Sequence, residues 1–232
     1  MFESFLKNLH NRAERKEVDH VKWRRMPVGP IQANAYFLIS EDQSCLIFDP
    51  GGEGDKINRY IKEKGLKPLA ILLTHAHFDH IGALDDVRDK WNIPVYLHQK
   101  EKEWLTDSSL NGSGLLRGIE VTAKPADHLI EGDGELNIGP FHLETLFTPG
   151  HSPGSVSYYV RDADLVISGD VLFQGGIGRT DLRGGDQETL LTSIHEKLLT
   201  LPEHTLVLSG HGPETDVQTE QDQNPFLNGF SL

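Results

Sequence analysis

The chain has 232 residues, 37% hydrophobic and 25% charged, with 23 Gly and 12 Pro. This is a globular composition, long enough for a substantial core and short enough for one domain. Lys and Arg number 22 against 35 Asp and Glu, a net charge of -13, which argues against a broad surface for nucleic acid or anionic membrane, because phosphate binding needs clustered cations.

In chain order, Phe2, Phe5, Leu6 and Leu9 recur at helical spacing, but residues 11–20 are almost wholly polar. Residues 1–21 are therefore read as an N-terminal extension, disordered or not native to the protein, and 22–232 as the folded domain. The start lacks the basic and apolar regions of a signal peptide, and no apolar run approaches the ~20 residues of a membrane span. A single cysteine, Cys45, cannot close an internal disulfide and points to a reducing compartment, the cytoplasm.

From Trp23 onward short β-rich runs alternate with helical patterns, which predicts an α/β fold. Strands are expected over 35–39, 44–48, 69–73, 93–97, 141–147, 156–160, 165–168 and 205–209. A helix over 55–64 presents Ile57, Tyr60 and Ile61 and stops at Gly65; another over 79–91 presents Ile81, Leu84, Val87 and Trp91. A third, capped by Asp186, presents Leu190, Leu191, Ile194 and Leu198. The stretch 106–133 has no clear period and reads as a binding loop or lid, with Asn111 and Arg117 as candidate substrate contacts.

One pattern recurs four times: an apolar strand, a few small residues, then a potential metal ligand. Ile71-Leu72-Leu73-Thr74 leads to His75, the run ending Thr148-Pro149-Gly150 to His151, Ser168-Gly169 to Asp170, and Ser209-Gly210 to His211. Ligands just past strand ends share one rim when the strands lie in packed sheets. The densest piece is His75-Ala76-His77-Phe78-Asp79-His80. Histidines at i and i+2 project to one side of an extended segment, while Asp79 and His80 fall where the chain turns into a helix. Packing five imidazoles and two carboxylates together without a cation would leave partly desolvated polar groups. Asp49, at another strand end, either accepts from a ligand imidazole or simply makes the turn before Pro50. Arg179 is expected to pair with Asp181 or a carbonyl rather than to recognise a substrate carboxylate.

These motifs in this order, with Gly175 to Asp181 and Asn224-Pro225-Phe226-Leu227, resemble the metallo-β-lactamase superfamily. Within it, the chain is most similar to compact bacterial proteins of the hydroxyacylglutathione hydrolase (glyoxalase II) type. The resemblance implies an αββα four-layer sandwich with two metals at one edge. His75, His77 and His151 would hold the first, Asp79, His80 and His211 the second, and Asp170 would bridge them. The donor set suits Zn²⁺ first, with Fe²⁺ or Mn²⁺ as alternatives. Such a pair acidifies a shared water into a bridging hydroxide nucleophile and polarises an ester carbonyl. The expected activity is hydrolysis of a small-molecule thioester, such as a 2-hydroxyacyl-thiol conjugate. Only the 21 residues after His211 stand where glyoxalase II carries a helical glutathione-binding domain, so the thiol need not be glutathione. A mononuclear-iron persulfide dioxygenase, which resembles the same motif set, is the alternative. A β-lactamase is disfavoured by the missing export signal and a nuclease by the acidic charge; a non-catalytic scaffold would have lost ligands.

Overall fold

The computed structural model describes residues 21–115 and 120–228. The apolar spacing at Phe2 to Leu9, the boundary drawn at residue 21 and Arg117 therefore turn on residues outside the described ones. The first half runs β1 (Lys22–Val28), β2 (Ala33–Ile39), β3 (Ser44–Phe48), α1 (Gly54–Lys64), β4 (Lys67–Leu72), α2 (Phe78–Ile81), α3 (Leu84–Trp91), β5 (Val95–His98) and β6 (His128–Ile130). Its six strands form one sheet in sequence order, antiparallel from β1 to β3 and parallel from β3 to β6. The second half runs β7 (Gly134–Ile138), β8 (Phe141–Phe147), β9 (Val156–Val160), β10 (Leu165–Gly169), a small hairpin of β11 (Leu172–Phe173) and β12 (Gly176–Ile177), α4 (Gln187–Ser193) continued by a π-helical turn (Ile194–Leu198), β13 (Leu206–Ser209), β14 (Thr215–Asp216) and α5 (Val217–Gln223). Its main sheet has the order β14-β13-β10-β9-β8-β7.

Period-two alternation sorts the strand residues into layers. Along β2 and β3, Phe37, Cys45 and Ile47 face a core with Ile57, Ile61 and Val87 of the helices. Their neighbours Tyr36, Leu38, Leu46 and Phe48 face the other sheet, meeting Phe141, Tyr158 and Ile167. On the far side Val166 and Val207 pack against Leu190, Ile194 and Leu198. The result is the αββα sandwich, with Cys45 buried in the first helix–sheet layer, its thiol pushed up to about 12 by burial.

The two sheets are pinned together at the rim where the strand ends meet. Tyr36 of the first sheet donates its hydroxyl to Ser209 O of the second (2.7 Å), and Tyr158 of the second donates to Leu73 O of the first (2.8 Å). Val156 N–H donates to Thr74 O (2.8 Å) and Asn34 N–H to Gly210 O (2.7 Å). Strand-end carbonyls that would otherwise be buried unpaired thus fix the relative height of both sheets.

The helix expected over 79–91 is two helices. Gly51 and Gly82 approach so closely that a Cβ on Gly51 would lie 1.7 Å from Asp79 O, and one on Gly82 would lie 2.5 Å from Gly51 O. Ala83 N–H donates to Pro50 O at 2.9 Å instead of continuing the helical ladder. Docking of the 49–52 turn breaks the helix after Ile81 and leaves Asp79 and His80 on a short turn of their own. Strands β1, β6, β7, β11, β12 and β14 are additions to the expected list; β1, β6, β7 and β14 lie on sheet edges, and β11 and β12 form the small hairpin.

Candidate metal centre

Each sequence-predicted donor sits just beyond a strand end or on the first turn of the following helix, and the rim brings all of them together. His75 and His77 follow β4, Asp79 and His80 lie on α2, His151 follows β8, Asp170 follows β10 and His211 follows β13. Three groups of donor atoms lie mutually within 4.8 Å: His75, His77 and His151; His75, His80 and Asp170; Asp79, His80 and His211. The parallel pairing of β10 with β13, Ile167 against Leu208 and Gly169 against Ser209, delivers Asp170 and His211 side by side. Gly210 is required there, since a Cβ would lie 2.0 Å from Asp170 Oδ1. Gly178 lets the 175–185 segment pass within reach of the same rim, because a Cβ on it would lie 1.9 Å from Asp170 O.

The outer nitrogens of three rings are held from behind. His80 Nδ1 faces Asp49 Oδ2 at 3.1 Å, His75 Nδ1 faces Thr74 Oγ1 at 3.1 Å, and His151 Nδ1 faces Arg179 O at 2.8 Å. Asp49 also accepts the Thr74 N–H (2.8 Å) and hydroxyl (2.6 Å), so Thr74 Oγ1 has its lone pairs free to accept from His75. A hydrogen bond at Nδ1 assigns the proton there and leaves Nε2 as a lone pair facing the rim. Asp49 adopts φ 47 at the end of β3; its left-handed turn and its contacts make it both the turn residue and the acceptor for His80, so the two readings of it were not exclusive.

The inward atoms lie close together. His77 Nδ1 and His151 Nε2 are 2.9 Å apart, His211 Nε2 and Asp79 Oδ2 3.1 Å. Asp170 reaches both sides, with Oδ1 3.4 Å from His80 Nε2 and Oδ2 3.6 Å from His151 Nε2 and 3.5 Å from His211 Nε2. His75 Nε2, His80 Nε2 and Asp170 Oδ1 are buried with no hydrogen-bond partner. Three orphaned polar atoms converging on one point would cost several kcal/mol if nothing satisfied them, and a cation is what two lone pairs and a carboxylate oxygen jointly accept. The donors therefore fit divalent ions of the nitrogen- and oxygen-binding kind.

The electrostatics split the cluster. Burial drives His75 well below its usual range, lowers His77 to about 3 and lowers His151, so these three are neutral bases. Burial would also lower His80, but the charges of Asp79 and Asp170 raise it well above its usual value. For His211, burial is again outweighed, by the hydrogen bond it donates to Asp79 and by the charge of Asp170. The carboxylate half of the cluster thus demands positive charge, which protons or a divalent cation can meet.

Around the donors, the Trp104 ring lies 5.5 Å from that of His77, and the half-buried Phe173 ring 6.3 Å from that of His211. Asn111 does not face the rim. Its side chain is fully buried, donates to Trp104 O and Val121 O and accepts from Ser113, so it organises its own loop and is not free to serve as the expected substrate contact. Arg179 pairs with Asp181 through two 2.7 Å contacts, as expected, at the surface. Sequence reasoning missed Thr74, whose position between an apolar strand and the first histidine was the available signal. It also missed Glu101, a fully buried carboxylate with no periodic signal at all.

Comparison with known proteins bears on this centre. The family model described as the Metallo-beta-lactamase superfamily matches residues 28–211. A Bacillus subtilis protein named "Probable metallo-hydrolase YqgX" is 92% identical over 212 residues, covering 91% of this chain and all of that one. The Haemophilus influenzae protein named "Hydroxyacylglutathione hydrolase GloC" is 35% identical, over 89% of this chain and 98% of that one. Among solved structures, the BLEG-1 B3 metallo-beta-lactamase is 58% identical with a TM-score of 0.88, covering 90% of this chain and all of that one. TTHA1623, solved in a di-iron-bound form, is 38% identical with a TM-score of 0.78, covering 88% of this chain and all of that one.

Proposed function

The chain belongs to the metallo-beta-lactamase superfamily and is a metallo-hydrolase, and from that premise we propose that it hydrolyses a small-molecule thioester of the 2-hydroxyacyl-thiol class at a two-cation centre. His75, His77 and His151 would hold one ion, Asp79, His80 and His211 the other, with Asp170 shared. The observation that carries this reading is the position of Asp170, whose two oxygens lie 3.4–3.6 Å from His80, His151 and His211 at once. Zn²⁺ suits the donors, and the di-iron form of a 38% identical structure supports Fe²⁺ as well.

When bound, such ions acidify a water and polarise a carbonyl. The protein's own part is orientation. Asp49, Thr74 and the Arg179 carbonyl hold His80, His75 and His151 with Nε2 inward, so no rotation is needed when the centre is used. Asp79 and Asp170 aim carboxylate oxygens at the same space, where they would accept from a water's O–H groups. Phe173 beside His211 offers an apolar wall for the acyl or thiol portion. A thiolate departs without a proton, since thiols ionise near ~8.5, so this chemistry asks for no dedicated acid. The name of the 35% identical GloC supports the thioester. The partner is then a small molecule rather than nucleic acid or membrane, and the compartment the cytoplasm. Among the described residues no helix is long and apolar enough to cross a membrane.

The 58% identity to a B3 metallo-beta-lactamase favours a second reading, hydrolysis of a β-lactam amide at the same centre. Both are tested on protein isolated without added metal. Elemental analysis is followed by a panel of hydroxyacyl thioesters of glutathione and other thiols, with a chromogenic β-lactam alongside. The proposal expects two metal equivalents and thioester cleavage that a chelator abolishes and Zn²⁺ or Fe²⁺ restores. Preferential lactam cleavage would select the second reading; a single iron with thiol-dependent oxygen uptake would replace hydrolysis by oxidation.

A further inference from the structure

Glu101 is fully buried in the 3-10 turn Gln99–Glu101 that follows β5, and it forms no ion pair among the described residues. A lone buried carboxylate is costly unless its oxygens are satisfied, and these are. Oε2 accepts the Ala76 N–H at 2.6 Å; Oε1 accepts the Ser152 hydroxyl at 2.5 Å and the Gly154 N–H at 2.7 Å. Ala76 separates His75 from His77, and Ser152 follows His151. One carboxylate therefore ties the loop after β4 to the loop after β8, and those two loops carry all three imidazoles of one donor group. Room for it has been made, because a Cβ on Gly154 would lie 2.8 Å from Glu101 Cγ. Among the described residues, Glu101 accepts no hydrogen bond from Asp79, His80 or His211, the other donor group.

We propose that Glu101 is a positioning residue for one half of the centre, setting the spacing of His75, His77 and His151 and not that of Asp79, His80 and His211. This rests on the two-cation reading above. Gln at 101 can accept on one side only; its amide NH₂ must face either the Ala76 N–H or the Gly154 N–H, so one loop is released. Outer groups of this kind change metal affinity by about 10–100-fold.

The test uses the full chain titrated with Zn²⁺ against a chromophoric chelator, and with Co²⁺ followed by visible absorption. Wild type should bind in two steps, and His211→Ala identifies which step belongs to its half. Glu101→Gln should weaken the other step about 10–100-fold and shift its Co²⁺ bands, with the His211-dependent step within threefold and circular dichroism unchanged. Ser152→Ala, which removes one of the three bonds, should give a smaller loss in the same step. Equal weakening of both steps, or of neither, overturns the inference. If Glu101→Gln does not fold, Ser152→Ala decides by the same criterion. Wild type that takes up no metal would defeat the two-cation reading itself, an outcome distinct from an unselective Glu101 variant.

Discussion

Two buried polar clusters sit only a hairpin apart, and they are built on opposite terms. At the C-terminal end, Glu220 accepts the Thr215 hydroxyl (2.6 Å), the Gly175 N–H (2.9 Å) and the Asn224 side-chain amide (2.7 Å), and Asn224 donates also to Gly176 O (3.0 Å). Every one of those contacts closes within the protein and anchors α5 to the β11–β12 hairpin. At the rim, by contrast, the outer nitrogens of His75, His80 and His151 are paired and the inner atoms His75 Nε2, His80 Nε2 and Asp170 Oδ1 are not. A cluster that is satisfied throughout is structural; a cluster satisfied on its outside only is a receptor for something else. Substitutions in the two should therefore separate metal content from stability.

The largest effect is expected at Asp170. Asp170→Ala removes the group shared by both halves, and hydrolysis should fall on the order of 10³-fold or more with loss of bound metal; steady-state kinetics with elemental analysis checks this, and retained metal with retained activity would place the chemistry elsewhere. Next is Thr74→Val, which keeps shape but leaves His75 Nδ1 and Asp49 without the hydroxyl between them. Metal affinity should drop about tenfold, read by chelator competition.

Glu220→Gln should do the reverse. One of its three donors would confront an amide NH₂, costing about 1–3 kcal/mol, and Tm should fall by about 2–4 °C per kcal/mol while metal stoichiometry holds. Loss of metal there would erase the contrast between the clusters. The smallest effect concerns Asp42 in the β2–β3 turn, far from both. The Ser40 hydroxyl, then the Ser44 N–H and hydroxyl, lower its carboxyl to about 2 from 3.8. A folded pKa below the unfolded one contributes stability above the unfolded value and loses it as pH falls through the folded value. The Tm advantage of wild type over Asp42→Asn should be full above pH 3.8 and shrink toward about 2; a pH-independent difference would contradict it.

Much of the architecture was legible because its signals are local. Alternation in β2 and β3 separates the two faces of the first sheet, Gly65 ends α1 in a left-handed cap, and Asp186 caps α4 by accepting the Thr189 N–H. The seven donors were legible as candidates because four directly follow apolar strands and the other three, His77, Asp79 and His80, stand in the motif that begins at His75, and the structure gathers all seven. What was not legible depends on contacts distant in sequence. The break between α2 and α3 comes from Gly51, some thirty residues away. Asn111 looked like a loop side chain free to meet a ligand, yet its own loop's carbonyls consume it. Glu101 and Glu220 carry no periodic or motif signal, and only the fold reveals that each ties separate segments together.

The central claim is that this rim holds two cations through one shared carboxylate. Native mass spectrometry of the intact protein, supplied with Zn²⁺ or Fe²⁺ and then freed of unbound metal, counts them directly. The account predicts two ions per wild-type chain and no more than one in Asp170→Ala. A wild-type chain that holds one ion or none at saturating metal, or an Asp170→Ala chain that still holds two, would contradict it.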